Sequence, residues 1–517
     1  MTIATLLSRL LGMARDIVLA AIFGAGAAMD AFVVASRIPN LVRDLFAEGA
    51  MSAAFVPTFT RQLTQKGEAN AWRLGSNVIN ALILVTGTLV VLGMIFAYPL
   101  ADFYTDDEQF AANLDLTARL TRWMLPFLTL VAVAVAQAGM LNSLRRFFVP
   151  AVSPATYNVA LILSALVIVP FCPALGLEPI EGIAIGSLLG GVLQIVTQWP
   201  ALHAAGFRYK PILDFKDPAL RDVLLLMGPG TVGVAAGQIN LFVNTVLATS
   251  QEVGAATWLT YAFRLMYLPI GLFGVSVATA AVPELARQAV EEGFAGMRRT
   301  LSSSLRLMLV LSVPAMAGLA ALAYPITQVV LERGEFTPAD TAAVSYALLM
   351  YAPGLIGYSI VKIASPSFYA LKDARTPVMI SVVTVLSNVA LNLWLIRVMG
   401  YAGLALGTAT ASLINASLLL TLLSRRIGGV DAPRVVLTFV KIGLASAAMA
   451  AAAWFAQIEL AATIGDVTFV QRALALGGAI AAGILVLAAV AKLLRLSEFE
   501  EAMGTVLRRL KGGGAAR

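Results

Sequence analysis

The chain has 517 residues, of which 59% are hydrophobic and only 13% are charged, whereas about 25% of the residues of a typical soluble protein are charged. One cysteine (Cys172) and one histidine (His203) exclude a disulfide framework and a cysteine- or histidine-based metal centre. Apolar runs near the roughly 20 residues that cross a bilayer recur along the whole length. We therefore predict an all-α polytopic membrane protein, because backbone groups in lipid must be satisfied within helices.

The first predicted helix carries charges inside an otherwise apolar segment. Arg9, Arg15 and Asp16 lie within residues 3–23, which lack a basic region followed by a small-residue cleavage site, so we interpret the segment as a retained span. An arginine at mid-bilayer costs about 2.5–3.5 kcal/mol on insertion scales and is by default a hypothesis about a ligand or a pathway. Arg9 and Asp16 are seven residues apart and could pair, which leaves Arg15 without a carboxylate at helical spacing.

The second predicted span continues this concentration of charge. Asp30, Arg37 and Asp44 follow one another at intervals of seven residues, which predicts that they share a helix face and that the acids neutralise Arg37. Arg43 has no carboxylate three or four residues away, and Glu48 follows it. The first sixty residues are therefore predicted to hold an ionic centre.

We predict fourteen transmembrane helices. Their approximate ranges are 3–23, 28–59, 76–100, 120–141, 153–171, 180–201, 223–248, 255–283, 305–330, 342–370, 377–396, 402–423, 435–456 and 472–491.

The basic residues fix the expected orientation. An even number of spans puts both termini on one side, and a cytoplasmic N-terminus then gives 24 Lys and Arg in the inner loops and tail against five in the outer loops. Both termini are accordingly predicted to be cytoplasmic. The net charge of +7 thus reflects membrane orientation, and we expect no nucleic-acid partner.

The outer loop after the third span is acidic. We interpret it as a solvated loop, although a membrane transferase that uses two of its aspartates for catalysis is a formal alternative. Its acidic residues are Asp102, Asp106, Asp107, Glu108 and Asp115.

Six basic residues fall inside the predicted spans, and five of them are arginine. A planar guanidinium group can donate two parallel hydrogen bonds to a phosphate, which a lysine cannot do. The six basic residues outnumber the four acidic residues in these spans, which favours an anionic, diphosphate-like ligand. Arg264 is the clearest candidate, because no other charged residue lies between Glu252 and Glu284. We leave open whether Arg37 and Lys362 contact a substrate. The six basic residues are Arg9, Arg15, Arg37, Arg43, Arg264 and Lys362.

The chain contains an internal repeat. Ala97-Tyr98-Pro99 recurs as Ala323-Tyr324-Pro325, and Asn158-Val159-Ala160-Leu161 recurs as Asn388-Val389-Ala390-Leu391. Spans 1–6 and 7–12 are thus predicted duplicates related by a pseudo-two-fold axis along the membrane normal, with a site between the two halves. The predicted division is residues 1–210, 211–426 and 427–517, the last segment carrying two extra spans. Glycines spaced by four residues, such as Gly182 and Gly186, are interpreted as positions of close helix packing.

Several motifs resemble those of one transporter family. Together they resemble the MurJ (MviN) family of lipid II flippases, within the superfamily of multidrug, oligosaccharidyl-lipid and polysaccharide exporters. The motifs are Ser8-Arg9-Leu10-Leu11-Gly12-Met13-Ala14-Arg15-Asp16, Met29-Asp30-Ala31-Phe32, Ile38-Pro39-Asn40-Leu41-Val42-Arg43, Phe46-Ala47-Glu48-Gly49-Ala50, Arg264-Leu265-Met266 and Gly271-Leu272-Phe273-Gly274.

The resemblance implies a function and a site. It implies two six-helix lobes around a cationic cavity, alternating access, and a groove for the polyprenyl tail formed by the last two spans. The substrate would be lipid II, carried from the cytoplasmic to the outer leaflet of the bacterial inner membrane without catalysis or a cofactor. The implied substrate-binding residues are Arg9, Arg15, Arg43 and Arg264, with Asp16 and Asp30 in support.

Two departures from the family pattern bear on coupling and pairing. Some members hold sodium with carboxylates, but the matching positions here are the neutral Asn244, Asn388, Asn392 and Thr408, which predicts weak sodium binding at most. Coupling to membrane potential or to a monovalent cation such as the proton is the expectation instead. Phe263 and Tyr267 also stand where some members carry acids beside the arginine.

Three alternatives stay open on the sequence. The chain could carry another polyprenyl-diphosphate-linked oligosaccharide, or export a cation or drug, although such an exporter would need lone carboxylates rather than arginines. A membrane enzyme acting on lipid-linked sugars is the third, but no nucleotide-binding loop or histidine triad is present. The expected partners are lipid II, membrane lipids and cell-wall synthesis proteins.

Overall fold

A computed structural model describes residues 2–44, 54–103, 105, 110–291, 293–496 and 498–499. Over these residues the ordered elements are helices and no strand is present, so the prediction of an all-α protein is confirmed. The chain forms two compact units, one comprising residues up to Thr257 together with Arg333–Thr337, and the other comprising Trp258–Glu332 and the chain from Pro338 onward.

The first unit contains ten α-helices and the start of an eleventh. They are α1 (Thr2–Phe23), α2 (Ala27–Asp44), α3 (Val56–Lys66), α4 (Glu68–Ile95), α5 (Ala97–Phe103), α6 (Leu114–Met124), α7 (Phe127–Ser143), α8 (Phe148–Val167), α9 (Pro179–Ala204), α10 (Pro218–Thr249) and the first residues of α11 (Ala255–Pro269).

The second unit contains the rest of α11 and nine further α-helices. A π-helical turn, Ile270–Gly274, connects α11 to the next helix. The nine are α12 (Val275–Glu291), α13 (Gly293–Ala321), α14 (Ala323–Leu331), α15 (Pro338–Tyr351), α16 (Gly354–Ala370), α17 (Arg375–Met399), α18 (Tyr401–Ile427), α19 (Ala432–Ile464) and α20 (Phe469–Leu493).

The length and hydropathy of a helix decide whether it can cross a membrane. Nine helical segments of the described chain meet that criterion, and the bent pair α15 and α16 raises the number to ten. Each predicted span coincides with one helix or with consecutive helices, except that residues 45–53 of the second lie outside the described residues. The chain is therefore a multi-pass protein by composition, and the number fourteen stays a prediction.

Local sequence signals set the helix ends. Glu178 and Glu181 form a reciprocal capping box at the start of α9, with Pro179 in the first turn. Thr468 and Gln471 do the same for α20. These side chains satisfy amide groups that the first helical turn leaves without partners, which explains why the helices begin at these residues.

An aromatic chain fills the core of the first unit. Phe55, Phe59, Trp72 and Phe207 follow one another with ring centroids 5.5–5.6 Å apart. All four are buried, and they lie between α3, α4 and the segment after α9. Offset aromatic packing of this kind anchors α3 immediately after the residues that the structure leaves undescribed.

The core of the second unit is aliphatic and includes the two C-terminal helices. Leu301 and Leu305 of α13 pack with Ile363 of α16, Leu423 of α18 and Ile442 of α19. Both α18 and α19 therefore lie against α13, and α20 packs along α19.

Two glycines show why close packing needs the absence of a side chain. A Cβ at Gly186 of α9 would lie 2.5 Å from Ser164 Cβ on α8, and a Cβ at Gly407 of α18 would lie 2.0 Å from Asn392 Oδ1 on α17. The interpretation of the glycine spacing as a packing feature is confirmed at these positions.

Candidate functional site

Arg15 is held by a neighbouring acid and a distant amide. Its Nε and Nη2 donate to Asp16 Oδ1 at 3.0 and 2.8 Å, and its Nη1 donates to Asn158 Oδ1 at 3.0 Å. The side-chain amide of Asn158 in turn donates to the Ser8 carbonyl at 3.2 Å. Asn158 thereby ties the guanidinium of α1 to the middle of α8.

The predicted partners of the first-helix charges are corrected by this geometry. Arg15, expected to lack a carboxylate, is paired with Asp16, and Arg9 forms no ion pair with a residue that the structure describes. Seven residues of helix span about 10.5 Å along the axis, too far for a direct Arg9–Asp16 contact, whereas a flexible arginine reaches its immediate neighbour. Arg9 is half-buried.

Arg43 shows the same adjacent pairing at the end of α2. Its Nε and Nη2 approach Asp44 Oδ1 at 2.9 and 2.8 Å, and the Gln238 side-chain amide donates to Asp44 Oδ2 at 3.3 Å. Asp44 is thus engaged by Arg43 and Gln238. Neutralisation of Arg37 by the two aspartates stays a prediction. Arg43 stays 38% exposed in its side chain, so part of its guanidinium is accessible.

Asp30 is an anchor for the start of α11. Its carboxylate accepts hydrogen bonds from Gly254 N at 2.6 Å, Thr257 N at 2.9 Å and the Thr257 hydroxyl at 2.6 Å. It is only 3% exposed, and a buried negative charge at a helix N-terminus is stabilised by the helix dipole and the amide groups there. Asp30 thus has a positioning role in the first unit.

Arg264 lies on the exposed side of α11 beside aromatic rings. The neighbouring Leu265 and Met266 are buried, whereas Arg264 is exposed. Phe263 and Tyr267 stack with centroids 5.8 Å apart, and Tyr358 of α16 meets Phe263 edge-on at 6.0 Å. Aromatic side chains therefore occupy the positions on both sides of Arg264 along the helix, one residue before it and three residues after it.

A π-helical turn follows this aromatic group. It comprises Ile270–Gly274 and coincides with the glycine motif that carries part of the family resemblance. Turns of this kind interrupt the regular backbone ladder and occur often at functional sites.

The basic candidates are distributed over both units. Arg9, Arg15, Arg37 and Arg43 belong to the first unit, and Arg264 and Lys362 belong to the second. Lys362 lies on the exposed side of α16. Within the described residues, the structure assigns an acidic neighbour by direct ion pair to Arg15 and to Arg43.

Three of the four weak sodium-site candidates lie together. Asn392 Nδ2 donates to Asn388 Oδ1 at 3.1 Å, and Asn388 Nδ2 lies 3.4 Å from Thr408 Oγ1. These side chains are buried between α17 and α18 and hydrogen-bond to one another, without a carboxylate in the group. The cluster therefore offers only neutral amide and hydroxyl oxygens. Asn244 lies on α10 of the first unit.

Two polar residues of this geometry were not predicted from the sequence as site residues. Asn158 contacts Arg15, and Gln238 contacts Asp44. A signal existed for Asn158, because the repeat aligns it with Asn388, the centre of the polar cluster in the second unit. Glu48 and the acidic-loop residues Asp106, Asp107 and Glu108 lie outside the described residues.

Sequence comparisons with known proteins identify relatives of the same kind. A family model described as "Lipid II flippase MurJ" matches residues 19–475. A probable lipid II flippase MurJ of Vibrio cholerae is 36% identical over 490 residues, which cover 93% of this chain and 92% of that protein. A lipid II flippase MurJ of Burkholderia cenocepacia is 33% identical over 432 residues, 82% of each chain.

Solved structures show the same likeness. A lipid II flippase MurJ in an inward closed conformation matches with a TM-score of 0.78 and 27% identity over 95% of this chain and 98% of that one. An inward-facing multidrug transporter of the MATE family matches with a TM-score of 0.68 and 14% identity over 82% of this chain and 96% of that one, a likeness of fold alone.

Proposed function

The chain belongs to the MurJ family of lipid II flippases, and we propose that it moves lipid II across the bacterial inner membrane by letting arginines hold the diphosphate. The family is one of transporters rather than of catalytic enzymes. The proposed substrate is a lipid-linked precursor of peptidoglycan. The other lipids of the bilayer surround the protein and are its second class of partner.

The observation that carries the arginine proposal is the placement of Arg264. It is an exposed guanidinium on α11, a helix that is otherwise apolar apart from threonines and aromatic side chains. A charge on a membrane helix is costly unless it faces water, protein or a ligand of opposite charge. A diphosphate carries negative charge, and the two nitrogens of a guanidinium edge match two phosphate oxygens.

Arg9, Arg15 and Arg43 complete the proposed set in the first unit. Arg15 is held in place by Asp16 and Asn158, which fixes its orientation before a substrate arrives. Arg43 is paired with Asp44, but its side chain remains 38% exposed and thus accessible to a ligand. Asp16 and Asp30 are proposed to support the site by positioning, since Asp16 holds Arg15 and Asp30 holds the start of α11.

The proposal includes the arrangement of the helices in the membrane. We infer fourteen spans with both termini cytoplasmic, two six-helix repeats over residues 1–210 and 211–426 related by a pseudo-two-fold axis, and an appendage over residues 427–517. The repeat in the sequence and the excess of inner basic residues support this arrangement. The apolar helices α19 and α20 are proposed to hold the polyprenyl tail while the head group crosses by alternating access.

The energy source is proposed to be the membrane potential or a monovalent cation other than a tightly bound sodium ion. No cofactor enters the proposal. The neutral character of Asn388, Asn392 and Thr408 supports weak cation binding. Cell-wall synthesis proteins are proposed as candidate partners, because they produce and consume the same lipid.

A reconstituted assay tests the proposal. Full-length protein in liposomes receives fluorescent lipid II in one leaflet, and a membrane-impermeant quencher reports its arrival in the other leaflet. We expect an unchanged molecule in the second leaflet. A chemically altered product would indicate an enzyme, and equal transport of another polyprenyl-diphosphate oligosaccharide in competition would indicate that alternative substrate.

A further inference from the structure

A basic pocket lies in the second unit, and its lining includes none of the arginines of the proposed substrate site. It has a volume of about 610 Å³ and opens where the N-terminal half of α13 meets the end of α18 and the start of α19. Four arginines line it, and the predicted topology places these loops in the cytoplasm. They are Arg298, Arg299, Arg306 and Arg434.

Basic residues outnumber acidic ones among the residues that line this pocket. Asp431 is the one acidic residue among those that line it, and it approaches Arg434 at 3.4 Å. Arg306 forms an ion pair with Glu498, which follows α20. The lining itself therefore consists of four guanidinium groups and one carboxylate in a partly enclosed space.

Three polar atoms of the pocket are buried without a hydrogen-bond partner among the described residues. They are Arg298 Nε, Ser302 Oγ and Arg306 Nε. Ser302 is only 3% exposed and, unlike Ser312 of the same helix, does not donate to the preceding helical turn. A buried donor without an acceptor costs about 1–3 kcal/mol, so three at one place indicate that a further acceptor belongs there.

The helix ends around the pocket also favour an anion. Arg298 Nη2 donates to the Ile427 carbonyl at 2.9 Å, which closes the C-terminal end of α18. Gly428 has φ +78°, a conformation that favours glycine, and a Cβ there would lie 2.6 Å from the same Nη2, so a side chain at this position would require the guanidinium to shift. The first turn of the 33-residue helix α19 also contributes the positive end of its dipole.

We propose that this pocket binds a phosphate group. Forked guanidinium donors, a buried hydroxyl and a helix N-terminus are the combination that recognises phosphate oxygens in general. The ligand is either the headgroup of an anionic phospholipid of the inner leaflet or a soluble phosphate compound, because the pocket lies at the end of membrane helices and opens toward the predicted cytoplasm. This site is separate from the diphosphate site of the proposed transport function.

Thermal unfolding of the full chain in nanodiscs tests the site. In the first series, the protein in phosphatidylcholine nanodiscs is titrated with inorganic phosphate or, at equal ionic strength, with chloride. In the second series, the nanodiscs contain phosphatidylglycerol and no phosphate is added. A ligand that binds only the folded protein raises the unfolding midpoint in proportion to its concentration and affinity. The variant Arg299→Gln/Arg434→Gln removes two exposed arginines of the pocket.

The matched control removes the same charge elsewhere. Arg375→Gln/Arg425→Gln changes two exposed arginines of the same unit that do not line the pocket. We expect at least about tenfold weaker apparent affinity in the pocket variant, because hydrogen bonds between charged groups are the stronger class, and unchanged affinity in the control. Stabilisation by phosphate alone identifies a soluble ligand, and stabilisation by phosphatidylglycerol alone identifies a headgroup. The proposal is overturned if neither ligand stabilises the protein, or if both variants lose the effect equally.

Discussion

Arg15 Nη1 donates to Asn158 Oδ1 at 3.0 Å, and this hydrogen bond joins α1 to α8 across 143 residues of sequence. The other two nitrogens of Arg15 are engaged by Asp16, so the orientation of the guanidinium is determined on both sides. A flexible arginine loses less freedom on binding a substrate when its orientation is already fixed. Asn158 is thus a positioning residue for one of the proposed diphosphate ligands.

Asn158→Ala is expected to slow lipid II translocation by about 10-fold or more, since a hydrogen bond to a charged group is worth about 1.5–3 kcal/mol. The measurement is the quencher assay in liposomes, with the amount of folded protein matched. Ser164→Ala is the control on the same helix, because its hydroxyl donates to the Gly182 carbonyl and contacts no arginine. A translocation rate of Asn158→Ala equal to that of the wild type would contradict the positioning role.

Asp30 is expected to act on stability more than on affinity. Asp30→Ala leaves the Gly254 and Thr257 amides at the start of α11 without their acceptor, a loss of about 1–3 kcal/mol for each buried donor. The unfolding temperature should fall clearly, and lipid II affinity of the remaining folded protein should change little. Asp30→Asn keeps an acceptor oxygen and should recover part of the stability. A normal unfolding temperature with lost substrate affinity would show that Asp30 acts on the ligand directly.

The sequence predicted the helices, because they follow from local hydropathy. It did not predict that Arg15 and Arg43 pair with the aspartates that follow them. Helical spacing directed attention to residues three, four or seven positions apart, whereas the long side chain of Arg43 folds back on the adjacent Asp44. The contacts of Asp30 join residues more than 220 positions apart, and no pattern in one sequence reports such a distance. Asn158 was marked by the repeat alone.

Sodium is expected to have little influence on transport. Replacing sodium by choline at constant membrane potential should change the rate of lipid II translocation by less than about twofold, because neutral amide and hydroxyl oxygens bind sodium weakly. Thr408→Val, which removes the hydroxyl beside Asn388, should leave this insensitivity unchanged. Dissipating the membrane potential with an ionophore should slow transport. Strong stimulation by sodium that Thr408→Val abolishes would reverse the expectation.

The loop between α16 and α17 should contribute to acid sensitivity. Hydrogen bonds from the Thr376 hydroxyl and amide, together with Arg426, hold the pKa of Asp373 below its usual value. A folded-state pKa below the unfolded value stabilises the protein above about pH 4, and that stabilisation is lost as the pH falls through the folded pKa.

The corresponding variant is Asp373→Asn. Its unfolding temperature should be below that of the wild type at pH 7, and the two should converge as the pH is lowered toward 3. Thr376→Val should show part of the same effect, because the hydroxyl is the largest cause of the lowered pKa. A constant difference between wild type and Asp373→Asn at every pH would exclude a contribution from this carboxylate's ionisation.

The role of Arg264 decides whether guanidinium groups hold the diphosphate. The most direct measurement replaces the native flippase of a depleted cell by the wild type, by Arg264→Ala, by Arg264→Lys or by the control Arg375→Gln, at equal expression, and follows growth and the appearance of lipid II in the outer leaflet. The account predicts loss of both with alanine, partial activity with lysine, which keeps the charge without the fork, and normal activity with the control. Normal growth and normal lipid II translocation with Arg264→Ala would contradict it.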